Sequence, residues 1–315
     1  MKVFPKKVVM EKFEGFLNIF KPEGMTSADV VRVVKRELKA KKVGYIGTLD
    51  PLATGVLPVG IGRATRLFPF LEKQDKVYEA VLKLGEATDT QDKSGKVTES
   101  ADTSGLTEQA VREAVMSFAG GITQIPPMFS AKKIQGERLY DLARQGITVD
   151  RKPINAVVSD LSVISVDLPH VRFVARVTAG AYIRTLCHDI GDKLGVHGHL
   201  SELTRLRSGH FSADSAMPLE KVKSGNEEEV MTHLLTLSNG LSHMSKAVVI
   251  SHGAERLKNG MPVGVAEIAS FEEVEGSDYV RVESKSGELL SVGMKCGIPM
   301  AGFPFTTIIP KKVLI

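Results

Sequence analysis

GYIGTLDPLATG, residues 44–55, is a loop sequence that carries a single acid. Its three glycines, Gly44, Gly47 and Gly55, let the backbone approach a partner closely. Asp50 stands before Pro51, which biases it towards extended or turn geometry. Tyr45 is the only other titratable side chain in the stretch. Taken alone, the pattern is equally that of a turn with Asp50 as turn-former or helix cap. One carboxylate is not a mechanism, so the flanking sequence has to decide.

Before the loop, GFLNIFK (Gly15–Lys21) is a short apolar run ending at Pro22, which predicts a buried strand. Residues 27–40 predict a helix with Thr26 or Ser27 as N-cap and Val30, Val31, Val34 and Leu38 on one face. Beyond the loop, residues 77–84 alternate as a strand does. Residues 107–119 predict a helix capped by Thr107, stapled by Leu106 and Val111 and stopped by Gly120. Pro126-Pro127 break the chain, and residues 128–146 run from a basic, irregular half into a helical one. Residues 171–178 alternate again, and Gly180 leads into a helix carrying Arg184, Cys187 and His188. Strands and helices in this irregular order predict an α+β fold with a mixed, mainly antiparallel sheet.

The pattern changes after about residue 220. Short strands are predicted at 247–251, Tyr279–Glu283, 289–292 and 305–309, with a short helix ending at Asn259-Gly260 and a hairpin turn at Ser286-Gly287. Such a segment suits a small barrel-like module. The expected division is residues 1–245, with an insertion at about 124–152, followed by 246–315.

Composition narrows the function classes. The chain has 315 residues, 25% of them charged, and a net charge of +4, ordinary values for a globular protein of about two domains. That charge is uneven: residues 21–63 hold eight Lys/Arg against four Asp/Glu, and residues 86–113 hold seven acids against three bases. Two cysteines, Cys187 and Cys296, build no disulfide framework and fit a reducing cytosol. No apolar run approaches the ~18–20 residues that span a bilayer, and the lysine-bearing start lacks the apolar core of a signal peptide. A cytoplasmic protein off the membrane is expected. GxxxxGK[ST], HExxH and GxSxG are all missing. His197 and His199 fall short of a zinc ligand set and predict a surface loop. Cys187 predicts core rather than nucleophile.

GTLDPLATGVLPVGIGRATR, residues 47–66, resembles the catalytic-loop motif of the TruB family, bacterial synthases of pseudouridine at position 55 of tRNA. The likeness extends in family order over about residues 15–210. NIFKPEGMTS resembles the family's opening motif and DKVYEAVLKLGEATDTQD its tyrosine-bearing strand and acidic turn. QIPPMFSAKKIQGERLYDLARQGI resembles the RNA-gripping insertion, and AGAYIRTLCHDIGDKLG and HLSELTRLRSG resemble the arginine motif and the one that follows. More weakly, the tail from about residue 246 resembles a PUA module.

The resemblance implies Asp50 as the catalytic carboxylate. The reaction breaks a C–N glycosidic bond, turns the base and rejoins it through carbon, gaining and losing no atoms, so it implies neither metal nor cofactor. A carboxylate can serve by covalent attack or by abstracting a sugar proton. Either way it must be ionised, and a nearby cation is expected to hold its pKa down. Arg184 is the implied partner, its planar fork suited to a bidentate contact. Tyr78 matches the tyrosine that stacks on the target base, and Tyr182 and Leu203 match residues lining the uracil pocket. Two positions depart from the family pattern. Tyr45 stands where His is usual, in a place thought to fill the gap a flipped base leaves. Ala181 stands where Thr is usual, which removes a hydroxyl beside the arginine motif.

The implied partner is the T arm of tRNA, bound by shape, phosphate contacts and splayed bases. Candidate phosphate contacts are Arg32, Lys35, Arg36 and Lys39 on the first helix, Lys41 and Lys42 after it, and Lys132, Lys133 and Arg138 in the insertion. A monomer acting without guide RNA is expected. The rivals are the guide-RNA-dependent relatives of archaea and eukaryotes, against which the long insertion argues, a non-catalytic tRNA-binding or folding factor that keeps the pocket, and a stand-alone RNA-binding module with a decayed enzyme domain, for which Tyr45 is the ground.

Overall fold

The computed structural model describes residues 12–130, 133–134, 136–300 and 302–314. Strand β1 (Gly15–Lys21) is buried along nearly its whole length, as its apolar run requires. Helix α1 (Ser27–Glu37) starts in a capping box: the Asp29 amide donates to Thr26 Oγ1 (3.1 Å) and the Thr26 amide donates to Asp29 Oδ2 (2.8 Å). The helix is three residues shorter than predicted, and Val33 rather than Val31 joins Val30 and Val34 in the core. Lys39 ends the turn in the left-handed region, with φ of 49°.

Strands β2 (Val43–Tyr45) and β3 (Thr54–Ile61) flank the Asp50 loop. Strand β4 (Lys76–Leu84) follows, then helix α2 (Glu108–Met116), capped by the Thr107 hydroxyl as predicted. Strand β5 (Gly120–Gln124) runs antiparallel beside β6 (Ile154–Asp167). The segment between them, where the insertion is expected, holds among its described residues a two-strand pair (Lys133–Ile134 and Glu137–Arg138) and helix α3 (Leu139–Arg144). Strand β7 (His170–Val177), helix α4 (Ile183–Lys193) and strand β8 (Gly198–Ser208) complete the frame of the site.

These strands belong to one eleven-stranded sheet, whose main path runs from the short strand Met217–Pro218 through β1, β3, β8, β4, β7 and β6 to β5. Among the described residues only two of its pairings are parallel, β3 with β8 and β1 with Met217–Pro218. One face of the central strands carries Leu82, Ala80, Phe173, Ala175, Leu200 and Leu203 into the main core under α4. The other face is polar, crossed by ion pairs such as Arg172 with Glu79 (2.6 Å) and Arg176 with Asp75 (3.1 Å). Alternation along each strand produces this split.

Strand β8 was not legible as a strand, and His199 lies buried within it rather than on a surface loop. Its Nδ1 sits 3.0 Å from the Glu86 carbonyl. A second, six-stranded sheet is built from Ser245–Val249, Val263–Gly264, Ile268–Glu272, Tyr279–Glu283, Leu289–Cys296 and Thr307–Val313. It shares an apolar cluster with the larger sheet, where Leu289, Val292 and Leu314 meet Phe16, Val56 and Leu67. Arg63 ties the two by donating to the Leu314 carbonyl (2.8 Å) while paired with Glu14.

Candidate active site

The Asp50 loop is held from below by polar side chains from β1, α1 and β8. Lys21 is fully buried, and its ammonium donates to the carbonyls of Pro22 (2.8 Å), Met25 (2.6 Å) and Pro51 (3.3 Å). Burial lowers its pKa to about 8. The Ser27 hydroxyl accepts from the Leu49 amide (2.9 Å) and donates to the Leu49 carbonyl (3.1 Å). Arg205, on β8, donates through Nε to the Val56 carbonyl (2.7 Å) and through Nη2 to that of Gly47 (2.9 Å). Two glycines make this approach possible. Gly47 and Gly55 have φ of 71° and 102°, and a Cβ at Gly55 would lie 2.3 Å from the Arg205 carbonyl oxygen.

Above this floor opens a cleft of about 270 Å³. Asp50 lines it together with Tyr78, Ala181, Tyr182, Arg184 and Leu203. The structure therefore gathers, from a loop, two strands and a helix start, five of the six residues expected at the substrate. Tyr45 is not among those lining the cleft; it sits half-buried on β2, opposite Val59.

Arg184, in the first turn of α4 and almost fully buried, places Nε 3.0 Å from Asp50 Oδ2. Its fork does not grip Asp50 bidentately as expected. Nη1 turns to Asp92 Oδ2 (3.3 Å) and the Thr90 carbonyl (3.1 Å), and Nη2 donates to the Phe129 carbonyl (2.8 Å). One guanidinium thus bridges two carboxylates, and it also reaches the first residues of the insertion. A cation in the first turn opposes the helix dipole, and the two acids offset that cost.

The second acid alters the electrostatics. Burial pushes the Asp50 carboxyl up and outweighs the pull of Arg184; the charge of Asp92 pushes it further, and Lys21 pulls it down. The net direction is upward from the ordinary carboxylate value, opposite to the expectation that a neighbouring cation would hold it down. Asp50 keeps about a third of its side chain exposed to the cleft, so it remains reachable.

Family models match two adjoining stretches: "TruB family pseudouridylate synthase (N terminal domain)" over residues 35–183 and "tRNA pseudouridylate synthase B C-terminal domain" over residues 184–242. A tRNA pseudouridine synthase B of Geobacter sulfurreducens is 47% identical over 79% of this chain and 82% of its own length. One of Clostridium tetani is 41% identical over 89% and 95%. The chain belongs to the TruB family of pseudouridylate synthases. Among solved structures, the chain of a Cbf5-Nop10-Gar1 complex superposes with a TM-score of 0.74 at 28% identity, covering 96% of this chain and 86% of that one. A chain of an H/ACA RNP bound to a substrate RNA containing 2'-deoxyuridine gives 0.73 at 26% identity, with 96% and 85% covered. The TruB chain thus has the pseudouridine synthase fold, with a PUA-like second sheet.

Three residues of this TruB site went unnamed in the sequence reading. Asp92 ends the DTQD turn, where its Oδ1 accepts from Thr90 Oγ1 (2.8 Å), the Ser94 amide (3.0 Å) and the Ser94 hydroxyl. Gln124, at the end of β5, is buried and clamps Tyr182: its Nε2 donates to the Tyr182 carbonyl and its Oε1 accepts from the Tyr182 amide, both at 3.0 Å. Arg205 is the third. Each stands among other polar residues (DTQDKSG, GGITQIPP, SELTRLRSG), and nothing local in the sequence names its partner.

The expected RNA contacts divide. Arg32, Lys35, Arg36, Lys39, Lys41 and Lys42 are all exposed along α1 and the turn after it. Arg32 is paired with Asp29 and Arg36 with Glu37, whereas Lys35, Lys39, Lys41 and Lys42 make no ion pair among the described residues. Lys133 and Arg138 face each other in the backbone register of the insertion's strand pair. Lys132 lies outside the described residues. Among the described residues no group of three or more His, Cys, Asp or Glu could hold a metal, and no helix is long and apolar enough to cross a membrane.

Proposed function

We propose that this protein isomerises uridine 55 in the T arm of tRNA to pseudouridine, with Asp50 as the catalytic carboxylate. The carrying observation is the 3.0 Å contact between Asp50 and Arg184 at the head of a cleft lined by Tyr78, Tyr182 and Leu203. The target base leaves its stack at a cost of a few kcal/mol, and the Tyr78 ring face offsets part of that. Asp50 then acts on the sugar, in its ionised form, by attack or by proton abstraction, while Arg184 aims its carboxylate and opposes part of the upward push of burial. Tyr182 and Leu203 bound the base. Tyr45, outside the cleft, fills the gap left in the RNA.

The protein acts as a cytoplasmic monomer, without guide RNA or cofactor. Residues 1–245 form the catalytic domain, with the segment at about 124–152 closing on the RNA, and residues 246–315 add RNA contact. The lysines of α1, Lys41 and Lys42, and the insertion's Lys132, Lys133 and Arg138 take phosphates. Identity of 41–47% to chains named tRNA pseudouridine synthase B, against 26–28% to chains of H/ACA RNP and Cbf5-Nop10-Gar1 complexes, supports the guide-free reading.

The test is incubation of purified protein with an unmodified T-arm stem-loop and an assay for pseudouridine, with Asp50→Asn as control. Product from the wild type alone supports the reading. Tight binding without product would favour the non-catalytic binding factor, and product only after adding a guide RNA would favour the guided relatives.

A further inference from the structure

Lys76 and Arg205 are buried cations, at 6% and 1% exposure, that line the same cleft as Asp50 yet have no carboxylate partner among the described residues. Uncompensated buried charge is costly, and proteins pair such groups with an anion or hold them for one. Arg205 spends Nε and Nη2 on the Val56 and Gly47 carbonyls. Lys76 spends two of its three protons on the carbonyls of Glu72 and Gln74, both 2.6 Å away. The two cations converge beneath Gly47: its missing Cβ would lie 3.2 Å from Arg205 Nη1 and 3.7 Å from Lys76 Cε.

Their place in the sheet says which part of a nucleotide they face. Along β4, Lys76, Tyr78 and Ala80 share one face, and on β8 Tyr78 is opposed by Arg205 and Ala80 by Leu203. Ala80 and Leu203 belong to the main core, so that end of the cleft is deep. Lys76 opens the strand, next to the exposed Glu72 and Lys73, so its end is the rim. A base that enters over Tyr78 towards Leu203 leaves its sugar–phosphate at the rim.

We infer that Lys76 and Arg205 form a subsite for one backbone phosphate flanking the flipped nucleotide, with Lys76 as its mobile charge and Arg205 as its fixed one. The inference rests on the RNA-modifying reading above. An anion there would balance both cations when RNA is bound and would register the nucleotide along the cleft. Burial, and then the charge of Arg205, lowers the Lys76 pKa to about 8, while Asp75 and Glu72 raise it. The free enzyme therefore loses this charge as pH rises through about 8.

Binding is measured on the Asp50→Asn background, so that turnover is not required, using the T-arm stem-loop with a single methylphosphonate on either side of the target uridine. Wild-type pseudouridine formation, assayed separately, tests the underlying reading on its own. Lys76→Met should weaken binding of the all-phosphate RNA about tenfold and cut the slope of log affinity against log salt by about 1. One of the two methylphosphonates should cost the Lys76 protein about the same factor and cost Lys76→Met nothing further. Equal losses in both proteins at both positions would overturn the inference, because the phosphate would then be read elsewhere. Lys76→Arg, which keeps the charge, provides the arm that survives if Lys76→Met does not fold. Affinity should fall between pH 7 and pH 9 with Lys76 and stay level with Arg; parallel pH profiles would also overturn it.

Discussion

The two ends of the cleft treat positive charge in opposite ways. At the Asp50 end, one guanidinium serves two carboxylates, and only with the buried Lys21 ammonium nearby do two cations answer two acids before any ligand arrives. From the floor at Arg205 to the rim at Lys76, a guanidinium and an ammonium are tied to backbone carbonyls and no acid among the described residues pairs with them. The first arrangement aims a reactive group; the second holds positive charge without an acid beside it, which suits a polyanion. A chain of modest net charge can therefore present a strongly positive surface where it meets RNA, because acids are spent on other faces.

The largest effect expected from breaking this contrast lies at the balanced end. Asp50→Asn is nearly isosteric, keeps a hydrogen-bond acceptor for Arg184 and removes only the charge and the nucleophile. Pseudouridine formation should fall by more than about a thousandfold, with stem-loop affinity almost unchanged. Rapid-quench product assays and filter binding on the same preparation check both halves. A fall in affinity equal to the fall in rate would place Asp50 in binding rather than in chemistry.

Asp92→Asn is the sharper probe, because it separates position from charge. The substitution releases Arg184 on one side, and the loop displacement should cost up to about a hundredfold in rate. It also removes the negative charge that pushes the Asp50 carboxyl up. Activity needs the ionised form, so it rises with pH through that pKa, and a lower pKa moves the acid limb to lower pH. The variant should be slower at its plateau yet hold that plateau to more acid pH than the wild type. A pH–rate profile of kcat/KM between pH 4.5 and 7.5 decides it; an acid limb moving upward would contradict the assignment of Asp92 as a like-charge neighbour.

That Asp92 had to be found in three dimensions marks what one sequence can carry. β1 and β4 were legible because their apolar runs and alternation have a single solution. Thr107 was legible because a cap is local chemistry. β8 was not, because register shifts between Leu200 and Glu202 and between Arg205 and Arg207 break the period-two pattern. Its one inward charge, Arg205, therefore carried no sign in the sequence that it faces the core. The contacts of Lys21, Ser27 and Gln124 were missed for the same physical reason: they bind backbone groups brought near only by the fold, and a polar side chain announces no partner in sequence. The site's chemistry was legible through the order of motifs around Asp50, not through any one of them. The downward pKa expected for Asp50 failed because burial and Asp92 are both tertiary facts.

Tyr45 tests whether the two ends are enough. It lies outside the cleft, so if the cleft alone holds the flipped nucleotide, replacing it should do nothing. If it fills the space the base leaves, Tyr45→Ala should lose about tenfold in rate on the stem-loop, while Tyr45→Phe, which keeps the flat face, stays near wild type. Equal rates for the two variants would remove Tyr45 from the account of flipping.

The smallest effect belongs to the surface of α1, and it repeats the contrast of the cleft in exposed form. Arg36 is paired with Glu37 at 2.6 Å, whereas Lys35 beside it has no acid partner among the described residues. A phosphate meeting Arg36 must share it with a carboxylate that already screens its charge; one meeting Lys35 need not. Both sit in high dielectric, where each contact is small and strongly salt-dependent. Lys35→Ala should therefore weaken stem-loop binding by about two- to threefold at low salt, and Arg36→Ala by less. The gap should close as salt approaches 0.5 M. Filter binding across a salt series measures this, and a larger loss at Arg36 would show that ion pairing within α1 does not decide which of its cations the RNA uses.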